Sequence, residues 1–151
     1  MRYLLICFVF FIYSSNLLAR AVDGDSLIYN NKKIRLLGLD APEYDQKCLD
    51  ENDAVYSCGE MSKKYLAKIS KGKINCKKIT IDKYKREIST CYKNGKNINQ
   101  EMVRSGWALA YRYFSTEYIQ DEEYAKEHKL GMWKGRFVNP RTYRKIKNKE
   151  K

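Results

Sequence analysis

Histidine is nearly missing from this 151-residue chain, His128 being the single instance, and none of its five cysteines forms a C-x-x-C pair. Those two shortages argue against a zinc centre, which draws on closely spaced cysteine and histidine ligands. Acidic residues are scarce beside basic ones, 18 against 30, for a formal charge of +12. So basic a surface suits a polyanion such as nucleic acid, or an anionic membrane surface. Thirteen tyrosines among the lysines favour nucleic acid, because aromatic faces stack on bases. No apolar run reaches the ~20 residues that a transmembrane helix needs. The nearest is Leu4–Tyr13, preceded by Arg2, which marks residues 1–15 as a signal peptide or N-terminal anchor. Cutting after Ala19-Arg20-Ala21 would satisfy the small-residue rule but remove a first strand expected over Leu17–Val22; a cut near Ser15 or Asn16 spares it. The chain is therefore expected in the periplasm or outside the cell, membrane-attached only if that segment is retained. The residues beyond the targeting segment are enough for one core but not two.

Cys7 lies in the targeting segment, so export leaves the even set Cys48, Cys58, Cys76 and Cys91. Three connectivities are open to four cysteines, and spacing prefers Cys48–Cys58 with Cys76–Cys91. A hairpin of Lys73–Ile81 and Arg86–Tyr92 turning at Lys83-Tyr84 sets Cys76 opposite Cys91 and Ile79 opposite Ile88. Between Pro42 and Gly59 the chain is polar and irregular. From Gly59 to Ser70, Met61, Tyr65, Leu66 and Ile69 recur at helical spacing. Asn99–Ser105 reads as a short helix ended by Gly106, Trp107–Tyr113 as a strand, and Ile119–His128 as an amphipathic helix. Residues 141–151 read as a basic tail expected to be disordered. His128 is expected on the surface.

The stretch Asp23–Glu43 carries the chemistry. Leu27–Tyr29 and Lys33–Leu37 read as strands joined at Asn30-Asn31, a turn signal because Asn tolerates positive φ. Asp25 and Asp40 supply hard oxygens for a divalent cation, with a backbone carbonyl near Asp40 as a third ligand. Arg35 presents a fork that matches two phosphate oxygens. Glu43 could position or deprotonate an attacking water. Register decides whether the set converges: a hairpin pivoting on Asn31 puts Asp25 and Arg35 on one face, and a two-residue turn does not.

The order D-G-D-S at Asp23–Ser26, then R-L-L-G-L-D-A-P-E at Arg35–Glu43, resembles the staphylococcal (thermonuclease-type) nuclease domain, whose pattern is D-G-D-T followed by R-L-x-x-x-D-x-P-E. The likeness continues through D-K-Y-K-R at Asp82–Arg86, N-x-x-M-V-R-S-G-W-A at Asn99–Ala108, A-Y-R-Y at Ala110–Tyr113 and G-M-W at Gly131–Trp133. It covers roughly Leu17 to Pro140, and residues 17–140 are taken as the domain. The resemblance implies an α+β fold, a five-stranded OB-fold β-barrel with about three helices. It implies Ca²⁺-dependent hydrolysis of DNA and RNA to 3′-phosphate ends. In its terms Asp25, Asp40 and the Ala41 carbonyl hold the metal, and Arg35, Glu43 and Arg86 are catalytic. Lys83, Tyr84, Tyr111 and Tyr113 match positions that contact the terminal phosphate and stack on a base, and Asp23 matches an acid acting near the metal through water. Lys85 stands where the pattern has glycine, so a left-handed backbone there would be strained. Ala41 and Ser26 each replace a family threonine at little cost.

Two other classes compete with an enzyme. A non-catalytic OB-fold nucleic-acid-binding module would be favoured by loss of Asp25, Arg35, Glu43 or Arg86, all of which are present. A membrane-surface or host-interaction protein would bind anionic vesicles through its basic face without cleaving nucleic acid. No stable protein partner is expected, and the chain is taken as a monomer.

Overall fold

The computed structural model describes residues 18–149, so the targeting segment lies outside the described residues. Short strands β1 (Arg20–Ala21), β2 (Ser26–Tyr29), β3 (Lys32–Leu36) and β4 (Leu39–Asp40) open the fold; β5 (Cys48–Leu49) and β6 (Val55–Tyr56) form a small ladder before α1 (Cys58–Ile69). Then come β7 (Asn75–Ile81), β8 (Glu87–Lys93), β9 (Lys96–Asn97), α2 (Ile98–Arg104), β10 (Leu109–Ala110), α3 (Ile119–Glu127), a 3-10 turn (Gly131–Lys134) and α4 (Pro140–Lys149). The main sheet runs β1-β2-β3-β8-β7, with β9 also pairing on β8. Among the described residues only β3–β8 is parallel, and the crossover it requires carries the acidic loop and α1. A separate ladder pairs β4 with β10. Among the described residues no helix is long and apolar enough to cross a membrane.

Asn30 and Asn31 both take positive φ, 51° and 60°, giving a two-residue turn with Ser26 opposite Arg35 and Leu27 opposite Ile34. Alternation then sends Leu27, Ile34 and Leu36 into the core, where Leu39, Leu66, Met102, Val103 and Tyr118 meet them. The disulfides are Cys48–Cys58 and Cys76–Cys91, as their spacing suggested. Strand β7 is otherwise almost wholly exposed, an edge guarded by Lys77 and Lys78 and tied to β8 at Cys76.

Several expectations are revised. Cys76 does oppose Cys91, but a bulge between Lys78 and Thr80 moves Thr80, not Ile79, opposite Ile88. The extra residue bends the strand into the turn at Asp82–Arg86. Met61 is exposed, because the buried stripe of α1 runs through Cys58, Gly59, Ser62 and Leu66 instead. Of Trp107–Tyr113 only Leu109 and Ala110 pair; beyond them the chain turns away, with the Tyr111 amide donating to the Gly38 carbonyl at 2.9 Å. Most of the basic tail is helical, since α4 begins at Pro140 and docks against the acidic loop. That makes four α-helices among the described residues rather than about three. His128 is exposed and stacks on Tyr124.

Candidate active site

Two close approaches bring the acids together. A Cβ on Gly24 would stand 1.9 Å from Ser62 Oγ and 2.6 Å from Ala41 Cβ, so glycine lets the Asp23–Asp25 bend lie against the segment after β4. A Cβ on Gly59 would stand 1.8 Å from the Glu43 carbonyl oxygen, so the first turn of α1 backs directly onto Glu43. The loop between is fastened by buried Gln46. Its backbone N–H donates to the Glu43 carbonyl (2.8 Å), its Oε1 accepts from the Glu43 amide (3.3 Å), and its Nε2 donates to the Val138 carbonyl (2.6 Å). The Cys48–Cys58 bridge closes the same loop.

Asp25 and Arg35 meet although the turn has two residues. Alternation applies only within a regular strand, and Asp25 sits one residue before β2 in a bend, free to swing across the pleat. Arg35 Nη1 donates to Asp25 Oδ1 at 2.5 Å, and Nη2 to Asp40 Oδ1 at 3.3 Å. Asp25 also accepts from Ser26 Oγ (2.8 Å) on Oδ1 and from the Ala41 amide (3.2 Å) on Oδ2. Burial opposes the Arg35 charge, yet Asp25, Asp40 and Asp23 outweigh it and raise its pKa. Burial and the neighbouring Asp25 carboxylate push Asp23 up to about 7.

Arg86 enters from the turn after β7. Asp82 folds that turn by accepting from the amides of Tyr84 and Arg86, each at 2.9 Å, and from Arg86 Nε at 2.8 Å. Lys85 adopts φ 61°, the left-handed conformation foreseen as strained for a non-glycine residue. Arg86 Nη1 lies 3.5 Å from Ser26 Oγ, which it approaches as a donor; Ser26 is itself the cross-strand neighbour of Arg35. The two guanidiniums thus face one pocket of about 690 Å³, shared with Asp25, Ala41, Glu43, Lys83, Tyr84 and Tyr111. Asp40 is 3% exposed and stands behind the wall, joined to it through Arg35. Tyr113 does not line this pocket; it is 77% exposed and meets Phe114 edge-on at 5.1 Å, while Phe114 itself does line it.

Two pocket residues escape a sequence reading. Phe114 carries no motif. Arg144 lies 101 positions from Glu43, and no local spacing could relate them. Among the described residues no group of three or more His, Cys, Asp or Glu side chains is arranged as a metal site. A cation here would rest on two carboxylates with backbone and water oxygens. The donor set allows this: Asp25 Oδ2 and Asp40 Oδ2 each accept one hydrogen bond and keep further acceptor capacity.

A family model described as "Staphylococcal nuclease homologue" matches residues 33–135. The succinoglycan biosynthesis protein ExoI of Rhizobium meliloti (strain 1021) is 32% identical over 77% of this chain and 63% of its own length. An uncharacterized endonuclease of Haemophilus influenzae is 34% identical over 74% of this chain and 61% of its own. Endonuclease YncB of Bacillus subtilis (strain 168) is 36% identical over 83% and 65%. The chain spans a little under two thirds of the length of these three relatives.

Proposed function

This chain belongs to the staphylococcal nuclease homologue family, and on that premise we propose that it is an exported, calcium-dependent endonuclease that hydrolyses DNA and RNA phosphodiesters to leave 3′-phosphate ends. The observation that carries this reading is the facing of Arg35 and Arg86 across one pocket that also holds Asp25 and Glu43. Arg35 and Arg86 would grip the phosphate from two sides and stabilise the charge that grows on its oxygens as water attacks. Glu43 would orient that water or take its proton. Asp25, Asp40 and the Ala41 carbonyl would hold calcium, whose chemistry is to polarise a phosphoryl oxygen and neutralise its charge. Lys83 and Tyr84 at the turn, with Tyr111 and the outlying Tyr113, would contact the terminal phosphate and a base. None of these groups reads base edges, so little sequence preference is expected.

The strand path β1-β2-β3-β8-β7, with the β4–β10 ladder beside it, supports an OB-type barrel among the described residues. Two disulfides suit the periplasm or the cell exterior, with residues 1–15 as the export segment and membrane contact only through them. The protein acts in this reading as a monomer.

The test is digestion of single-stranded DNA, double-stranded DNA and RNA by the purified, oxidised protein, with Ca²⁺ and then with EGTA. Calcium-dependent cleavage leaving 3′-phosphate ends is expected. Binding without cleavage would make the chain a non-catalytic nucleic-acid-binding module instead.

A further inference from the structure

Helix α4 lies beyond residues 33–135, yet it sets a guanidinium among the acids. Arg144 Nη1 donates to Asp40 Oδ1 at 3.0 Å and to Glu43 Oε1 at 2.8 Å, and Nη2 donates to Asp40 Oδ2 at 2.8 Å. One planar fork therefore spans both oxygens of Asp40 and still reaches a second carboxylate. Among the described residues the Glu43 carboxylate has no other hydrogen-bond donor, so its orientation depends on this arginine. The helix is pinned on either side as well: Lys147 pairs with Asp45, and Gln46 holds the Val138 carbonyl just upstream. The Arg144 side chain is 35% exposed and lines the same pocket as Arg35 and Arg86.

We propose that Arg144 is a positioning residue of this site, fixing the Glu43 carboxylate relative to Asp40 while its charge weakens the hold of the acid pair on calcium. Arg35 and Arg144 already offset most of the charge on Asp25, Asp40 and Glu43, and a divalent ion feels each remaining charge twice over. The same contact that orders the water-handling carboxylate thus sets how much calcium the site requires. The turnover part of this inference rests on the nuclease reading, and the calcium part on the cation site proposed with it, which the calcium titration tests apart from cleavage.

The experiment compares wild type, Arg144→Gln, Arg144→Lys and Lys147→Gln by calorimetric titration with calcium alone, without nucleic acid. It then measures kcat and KM on single-stranded DNA. In Arg144→Gln, calcium binding should tighten by about tenfold or more. Its kcat should fall by about tenfold or more, with KM changed by less than about threefold. Arg144→Lys keeps the charge without the fork, so calcium affinity should stay near wild type while kcat drops. Lys147→Gln removes an exposed anchor of α4 whose charge also acts on Glu43 but makes no hydrogen bond to it, so its effect on both quantities should be much smaller than that of Arg144→Gln. Unchanged or weaker calcium binding in Arg144→Gln overturns the proposal, as does Lys147→Gln reproducing its effects. If wild type cleaves nothing but Arg144→Gln still tightens calcium, the nuclease reading falls and the charge role of Arg144 stands. If wild type cleaves and Arg144→Gln changes neither quantity, the reverse holds.

Discussion

Replacing Asn99 by alanine tests how the two halves of the site are held together. The side chain is fully buried, and all of its hydrogen bonds run to backbone. Oδ1 accepts from the Cys91 amide at 3.0 Å, and Nδ2 donates to the Leu37 and Ser89 carbonyls, each at 3.0 Å. One amide from α2 therefore stitches β8 to the residue that follows β3, at the end of the parallel pair. Beyond that stitch the chain runs on to Asp40. A hydrogen bond is worth about 1 kcal/mol net, and a buried group left unpaired costs about 1–3 kcal/mol. With the Cys91 amide and the Leu37 carbonyl both losing this partner, Asn99→Ala should cost about 3–5 kcal/mol. That is a large share of the ~5–15 kcal/mol typical of a domain.

The assay is urea denaturation of the oxidised protein, followed by tryptophan fluorescence and circular dichroism. With a slope of about 2 kcal/mol/M, the midpoint should fall by about 1.5–2.5 M. Asn99→Asp keeps the shape and the acceptor but turns the donor toward two carbonyls as an oxygen, so at pH 7 it should lose at least as much. A midpoint shift under about 0.5 M in both variants would refute the reasoning, because water or relaxed backbone would then be replacing the amide.

Two further predictions concern the pocket itself. Glu43→Gln and Arg86→Ala should each lower kcat by about 10²–10³-fold with an unchanged circular dichroism spectrum; full turnover in both would sink the catalytic assignments. For Asp82, burial pushes the carboxyl pKa up, but hydrogen bonds from the Arg86 backbone and guanidinium and from the Tyr84 amide bring it below the ordinary 3.8. A carboxylate lowered by folding stabilises fully above its unfolded pKa and loses that contribution as pH falls through the folded one. The Arg86 Nε–H resonance should therefore hold steady down to about pH 4 and shift only below it. A midpoint at or above 3.8 would count against the Asp82 turn.

The sequence by itself determined what local chemistry can encode. Asn30-Asn31 specifies a tight hairpin because both residues accept positive φ, and that turn sets which side chains of β2 and β3 enter the core. The cysteine spacing selected the observed pairing, and the ordered acid and arginine motifs marked the family and most of the pocket wall. Each of those signals spans a few residues or one hairpin. Tertiary structure decided the rest. Asp25 reaches Arg35 only because it lies in a bend, outside the alternation that would have parted them. Ile79 left its expected register when a bulge turned β7 toward Asp82, and Met61 faces water because packing chose a different stripe of α1. Arg144 shows the limit most plainly. A basic run near the chain end reads as a solvated tail, since nothing in its spacing refers to acids a hundred residues earlier. Only the docking of α4 on the Asp40–Asp45 segment makes that arginine the partner of Asp40 and Glu43.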